Sequence, residues 1–237
     1  ETPLHVERRS IEVPTVEYQM LENQVGYIYV TQFDEVTAKQ FEDAIDDLED
    51  QGMEKLVIDL RNNPGGVLDT AVEMLAYVLP EDKMDGMLVY TADKNGEGDR
   101  YFCKDGKIQR ESDDGSRDSR YPKEDDHELD VPLAVLVNGN SASASEVFTG
   151  AVMDYDAGIV VGTTTFGKGI VQNLIPLGDG TAIKLTTAHY YTPNGFDLHG
   201  KGLEPDVVVE MDGELQKKAV VELSEDNQLQ AAIEAMN

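Results

Sequence analysis

VGYIYVTQF, residues 25–33, is apolar at most positions on both of its faces, the pattern of a strand covered on both sides. The next segment, DEVTAKQFEDAIDDLEDQG, spaces Val36, Phe41, Ala44, Ile45 and Leu48 at helical intervals, and Gly52 supplies a stop. KLVIDL at 55–60 is a second short apolar run and predicts another buried strand. It opens into the turn RNNPGG and then into VLDTAVEMLAYVL at 67–79, which is amphipathic at helical period. PLAVLVN at 132–138 predicts a third buried strand, followed by SASASEVFTGAVMDY as helix. Short strands joined by glycine turns follow, with LGDGTAIKLTTAHYY as a hairpin signal. The chain closes on an amphipathic helix with Leu229, Ala232, Ile233 and Met236 on one face. This alternation of strands and helices predicts an α/β fold.

Two stretches break the rhythm. The first twenty residues alternate weakly and carry Pro3 and Pro14, which suits an edge strand or a connection. Residues 84–130 mix strand-like pieces, glycine turns and a polar stretch without period. They predict a β-hairpin excursion ending in a mobile acidic loop, with 93–130 a solvated surface insertion. With no Pro/Gly/Ser-rich linker and no internal repeat, the 237 residues are expected to form one domain. Its parts are a leading segment (1–24), the acidic insertion (84–130) and a helical tail (210–237).

Charge narrows the partners. Lys and Arg number 19 against 47 Asp and Glu, a net charge of −28, so nucleic acid and anionic membrane surfaces are repelled. The single cysteine, Cys103, excludes an intrachain disulfide and a cysteine-based metal site, and it is read as a spectator. No apolar run approaches the roughly 20 residues that a transmembrane helix needs.

Candidate chemistry centres on SASASE, residues 141–146. Ser143-Ala-Ser-Glu146 has the form of a capping box, which opens many helices without catalytic duty. The same run also suits a nucleophile. Alanines leave room beside the hydroxyls, and a helix N-terminus offers free N–H groups to an oxyanion. A serine hydroxyl needs a base. The four histidines are weakly placed, and His189 within TTAHYYT reads as a packed strand residue. No GxSxG elbow occurs, so a Ser–His–Asp triad of that type has no support. Lys168, between glycines in TFGKGIVQ, is the other candidate base, on the condition that its surroundings desolvate it.

Six stretches in collinear order resemble one family: GYIYVTQF, LVIDLRNNPGG, VLVNGNSASASEV, VVGTTTFGKGIVQ, TTAHYYTPNG and GKGLEPD. They are similar to the carboxyl-terminal processing peptidases, the S41 serine peptidases with a Ser–Lys dyad, over about residues 25–209. The resemblance implies a ClpP/crotonase-like fold with mixed sheets and flanking helices. It places the nucleophile on Ser143, the base on Lys168 and a lysine-orienting group on Gln172. It implies an oxyanion hole from the Ala144 amide with that of Gly65 or Gly66, and supporting roles for Asp59 and Arg61. A simple ion pair is the plain alternative for those two, and Glu146 is expected to close the helix cap. The implied reaction is acyl transfer to Ser143, without metal or cofactor, on protein or peptide substrates.

One departure from the family is expected to matter. Members usually carry a PDZ domain just before the region matching IEVPTVEYQMLENQVGYI, and the few residues ahead of it here hold none. The expectation is a peptidase core without its PDZ domain. By the same resemblance the protein is expected outside the cytoplasm, with membrane tethering of a full-length form and homo-oligomerisation both open. Two other readings remain: a crotonase-type acyl-CoA enzyme, which would call for more basic residues, and a non-catalytic peptide- or ligand-binding domain.

Overall fold

A computed structural model of the chain describes residues 11–79, 86–104, 107–122, 129–218 and 220–237. Its backbone is a six-stranded sheet built on a parallel centre. In spatial order the strands are β1 (Val16–Met20), β2 (Val25–Val30), β3 (Lys55–Asp59), β8 (Leu133–Val137), β9 (Ile159–Gly162) and β12 (Val207–Val208). β2, β3, β8, β9 and β12 run parallel, and β1 pairs antiparallel on the edge.

The continuous apolar runs divide by alternation between two cores. Ile28, Val30, Leu56, Ile58, Val135 and Val137 face helices α1 (Thr37–Asp50), α2 (Leu68–Val78) and α3 (Ala144–Asp154). Tyr27, Val57, Ala134, Leu136 and Val161 face helix α4 (Asn227–Ala235) through Leu229, Ala232 and Met236. Burial on both faces is why these strands show no polar alternation in the sequence.

The second sheet is antiparallel, in the order β10 (Ile170–Pro176), β11 (Ala182–Tyr191), β4 (Gly86–Ala92), β5 (Asp99–Lys104), β6 (Lys107–Ser112) and β7 (Arg117–Pro122). The expected single hairpin across 84–130 is therefore corrected to a four-stranded meander that extends the sheet begun by β10 and β11. Its charges obscured it. Arg110 pairs with Asp99 at 2.6 Å, Arg100 with Asp113, and Arg117 with Glu111 at 3.2 Å, each pair joining residues of neighbouring strands or their turns. Tyr101, Cys103 and Ile108 alternate inward beneath them and join the larger core. The acidic run at 123–128, His5 and His127 lie outside the described residues. No helix among the described residues is long and apolar enough to cross a membrane.

Candidate active site

Three loops leave the carboxyl ends of the parallel strands β3, β8 and β9, the edge where open α/β sheets bind ligands. The β3 loop carries Arg61–Gly66, the β8 loop Asn138–Ser143 and the β9 loop Thr163–Gly169. Backbone and buried serine bonds knit the first two together. Ser141 Oγ donates to Leu60 O at 2.8 Å, Ala142 N to Asn63 O at 3.0 Å, and Ser145 Oγ to Asn63 O at 3.0 Å. Two of the three serines are thus spent on loop carbonyls.

Ser143 differs from both. It sits at the N-cap of α3 with φ 58° and ψ −116°, a conformation that costs of order 1–3 kcal/mol in a non-glycine residue. Such strain at a strand-to-helix turn holds a side chain out of the helix it precedes. Glu146 completes the capping box, its Oε2 accepting from Ser143 N at 2.9 Å.

Glu146 also reaches the third loop. The same Oε2 accepts from Lys168 N at 2.8 Å, while Oε1 accepts from Gly167 N at 2.7 Å and Thr165 Oγ1 at 2.6 Å. A fully buried carboxylate with four donors thereby locks the Lys168 loop to the Ser143 turn. Lys168 itself is half-buried, and its Nζ has no hydrogen bond or ion pair among the described residues.

Gly65 and Gly66 close the other side. A Cβ on Gly65 would stand 2.8 Å from both Ser143 Cβ and Ala144 N, so only glycine lets the β3 loop approach this closely. Gly65 has φ 94° and Gly66 φ 151°. A Cβ on Gly66 would meet Phe33 O at 1.8 Å. The two amides differ: Gly65 N donates to Asn63 Oδ1 at 2.9 Å, whereas Gly66 N and Ala144 N have no protein acceptor among the described residues.

The remaining expected residues lie further out. Gln172 is exposed on β10, just past a bulge between Val171 and Gln172. Its amide donates to Thr186 Oγ1 at 3.4 Å and makes no bond to Lys168. Asp59 and Arg61 lie on the α4 side of the sheet as a buried ion pair, Arg61 Nη2 to Asp59 Oδ2 at 2.6 Å. Burial alone would make the Arg61 cation easier to discharge, but the carboxylates of Asp59 and Asp226 outweigh it and hold the group firmly charged. Burial, with the adjacent Asp59 charge, pushes the Tyr27 phenol well above its ordinary value, and its hydroxyl donates to Asp59 Oδ2 at 2.7 Å. A cavity of about 780 Å³ opens beside this cluster, lined by Asp59, Arg61, Asn62 and Asn138 among others, and it includes neither Ser143 nor Lys168.

The sequence reading missed Asp226 and Gln228, which reach Arg61 from the tail, and Thr165 and Asn63, which fix the loops. Asp226 is also the N-cap of α4, accepting from the amides of Gln228 and Leu229. Its Asx-before-helix position was the one available signal.

Fold and geometry together define an α/β protein with a strained serine at a helix start, facing a glycine turn and two free amides, the layout suited to acyl transfer. The chain belongs to Peptidase family S41, whose sequence model matches residues 24–209. It is 37% identical over 210 residues to a protein of Staphylococcus aureus named probable CtpA-like serine protease, covering 89% of this chain and 38% of that one. The namesake protein of Staphylococcus haemolyticus matches at 37% over 209 residues. The chain thus spans about two-fifths of the length of these relatives. Among solved structures, the photosystem II D1 C-terminal processing protease superposes with a TM-score of 0.67 at 28% identity, covering 92% of this chain and 53% of that one. A Bacteroides fragilis structure titled as a putative S41 protease shares the fold with a TM-score of 0.71 at 19% identity, covering 97% of this chain and 59% of that one.

Proposed function

We propose that this chain is the catalytic core of a serine endopeptidase of the C-terminal processing type. The observation that carries it is the convergence of the Ser143 and Lys168 amides on Glu146, opposite two amides with no acceptor among the described residues. Ser143 Oγ attacks the peptide carbonyl while Lys168 Nζ, as general base, takes the hydroxyl proton. The amides of Gly66 and Ala144 hold the oxyanion, Gly66 being favoured over Gly65 because the Gly65 amide already serves Asn63. Lys168 returns its proton to the leaving amine, and water then releases the acyl group from Ser143 under the same base. Gln172 would orient Lys168 only after its side chain turns from Thr186 toward the lysine.

The finer readings follow from the same family membership: a ClpP/crotonase-like core, protein or peptide substrates, and a location outside the cytoplasm. The test is cleavage of an unfolded protein such as reduced casein by the wild-type chain, Ser143→Ala and Lys168→Ala. Loss of cleavage in both variants is expected. Undiminished cleavage in either variant removes the dyad, and an inert wild type favours a binding domain.

A further inference from the structure

The Arg61 guanidinium is enclosed by three side chains, Asp59 two residues before it and Asp226 and Gln228 from the tail. Nε donates to both Asp59 carboxylate oxygens at 3.0 Å, Nη2 to Asp59 at 2.6 Å and Asp226 at 2.7 Å, and Nη1 to Gln228 Oε1 at 2.9 Å. All four residues are nearly inaccessible: Asp59 2%, Arg61 8%, Asp226 3% and Gln228 2% exposed. Gln228 in turn donates to Val209 O at 2.6 Å, and the second Asp226 oxygen caps α4.

Two carboxylates for one guanidinium is more negative charge than neutralisation requires, and burying the surplus is costly. Asp59 alone would already neutralise Arg61. The second carboxylate is better explained by where Arg61 sits. Arg61 opens the turn that ends at Gly65–Gly66. Beyond it, Asn62 N donates to Asn138 Oδ1 at 3.0 Å, and Asn63 Nδ2 to Val30 O at 2.8 Å. The turn is therefore pinned at its root by the tail and along its length by the β8 loop and strand β2. Its glycines are the part that must meet Ser143 and Ala144 at close range.

We propose that Asp226 and Gln228 are positioning residues of the site, holding Arg61 so that the Gly66 amide stays aligned with Ala144. The proposal rests on the peptidase reading above for its kinetic consequence, but not for its structural one. Both residues lie beyond 24–209, the span that the family's sequence model matches. A misplacement of about 1 Å in a catalytic group costs up to about a hundredfold in rate, so a loosened turn should be read in kcat.

The test compares Asp226→Ala, Asp226→Asn and Ala232→Gly. Ala232→Gly weakens α4 from its buried face without touching Arg61. Each is measured by hydrogen exchange of the peptide spanning 60–67 and by casein cleavage at a temperature where all variants are folded. Expected for Asp226→Ala is faster exchange at 60–67 and a kcat lower by about tenfold or more with KM within about twofold. Asp226→Asn has one oxygen where Asp226 uses two, so it can keep the α4 cap while its NH2 replaces the acceptor for Arg61, and it should lose about as much as Asp226→Ala in both readouts. Ala232→Gly should lower the melting temperature and leave both readouts at wild-type level. If Asp226→Ala leaves exchange at 60–67 unchanged, or Ala232→Gly alters it equally, Asp226 is structural only and the proposal fails. An inert wild type with altered exchange in Asp226→Ala would instead overturn the peptidase reading and keep the coupling.

Discussion

The backbone amides of Ser143 and Lys168 donate to one oxygen atom, Oε2 of Glu146, at 2.9 and 2.8 Å. The relative placement of the Ser143 turn and the Lys168 loop is therefore set by a side chain that belongs to neither member of the proposed dyad.

Glu146→Gln should be far from conservative. All four groups facing the carboxylate are donors, so an amide nitrogen must confront at least one N–H or O–H. A loss of about 2–4 kcal/mol is expected, read as a lower denaturant midpoint with unchanged slope. Cleavage should fall as well, since the Lys168 loop loses its tether. A midpoint within error of wild type would remove Glu146 from this role.

The three serines should separate cleanly. Ser141→Ala and Ser145→Ala each remove a buried donor to a loop carbonyl, at about 1–2 kcal/mol, and should keep most of the cleavage rate. Ser143→Ala should abolish cleavage while costing little stability. A dead Ser145→Ala with an active Ser143→Ala would reassign the nucleophile.

Gly66→Ala places a methyl where Phe33 O already lies and demands a conformation that L-residues rarely adopt. A destabilisation of about 3 kcal/mol or more is expected, together with loss of cleavage. Thermal unfolding of the purified variant measures the first directly. Near-wild-type stability would mean that the Phe33 bridge to Gly66 is not a rigid feature of the site.

Alkaline stability gives a test of the cluster around Arg61. The Tyr27 phenol is raised in the folded state, so its contribution is complete below the unfolded value near 10 and is lost as pH climbs toward the folded value. Above about pH 10 this one group should cost up to about 1.4 kcal/mol per pH unit. Tyr27→Phe should flatten that slope in urea titrations between pH 9 and 11. An identical slope would place the phenol's folded value back near 10.

Much of the parallel sheet is legible in the sequence because burial on both faces leaves unbroken apolar runs, as in KLVIDL and PLAVLVN. The β4–β7 meander is not, since Arg110–Asp99 and its neighbours cover an inward alternation of Tyr101, Cys103 and Ile108. Within the site, Ser143, Lys168 and the glycines stand in motifs that can be read along the chain. The Glu146 tether can be read only halfway: its cap to Ser143 is local, whereas its bonds to Thr165, Gly167 and Lys168 depend on how β9 emerges beside β8. Asp226 and Gln228 carry no local signal of their bond to Arg61, because a buried ion pair across the chain has no period.

The enclosure of Arg61 also has a meaning in time. Arg61 and Gln228 are 167 positions apart, so during synthesis Asp59 and the glycine turn are made long before the tail that completes their cradle. A nascent chain can form its sheet centre and pair Arg61 with Asp59, yet the β3 turn lacks its Asp226 and Gln228 partners until α4 docks. Order at the root of the β3 turn is thus tied to a contact that no local stretch of chain can supply.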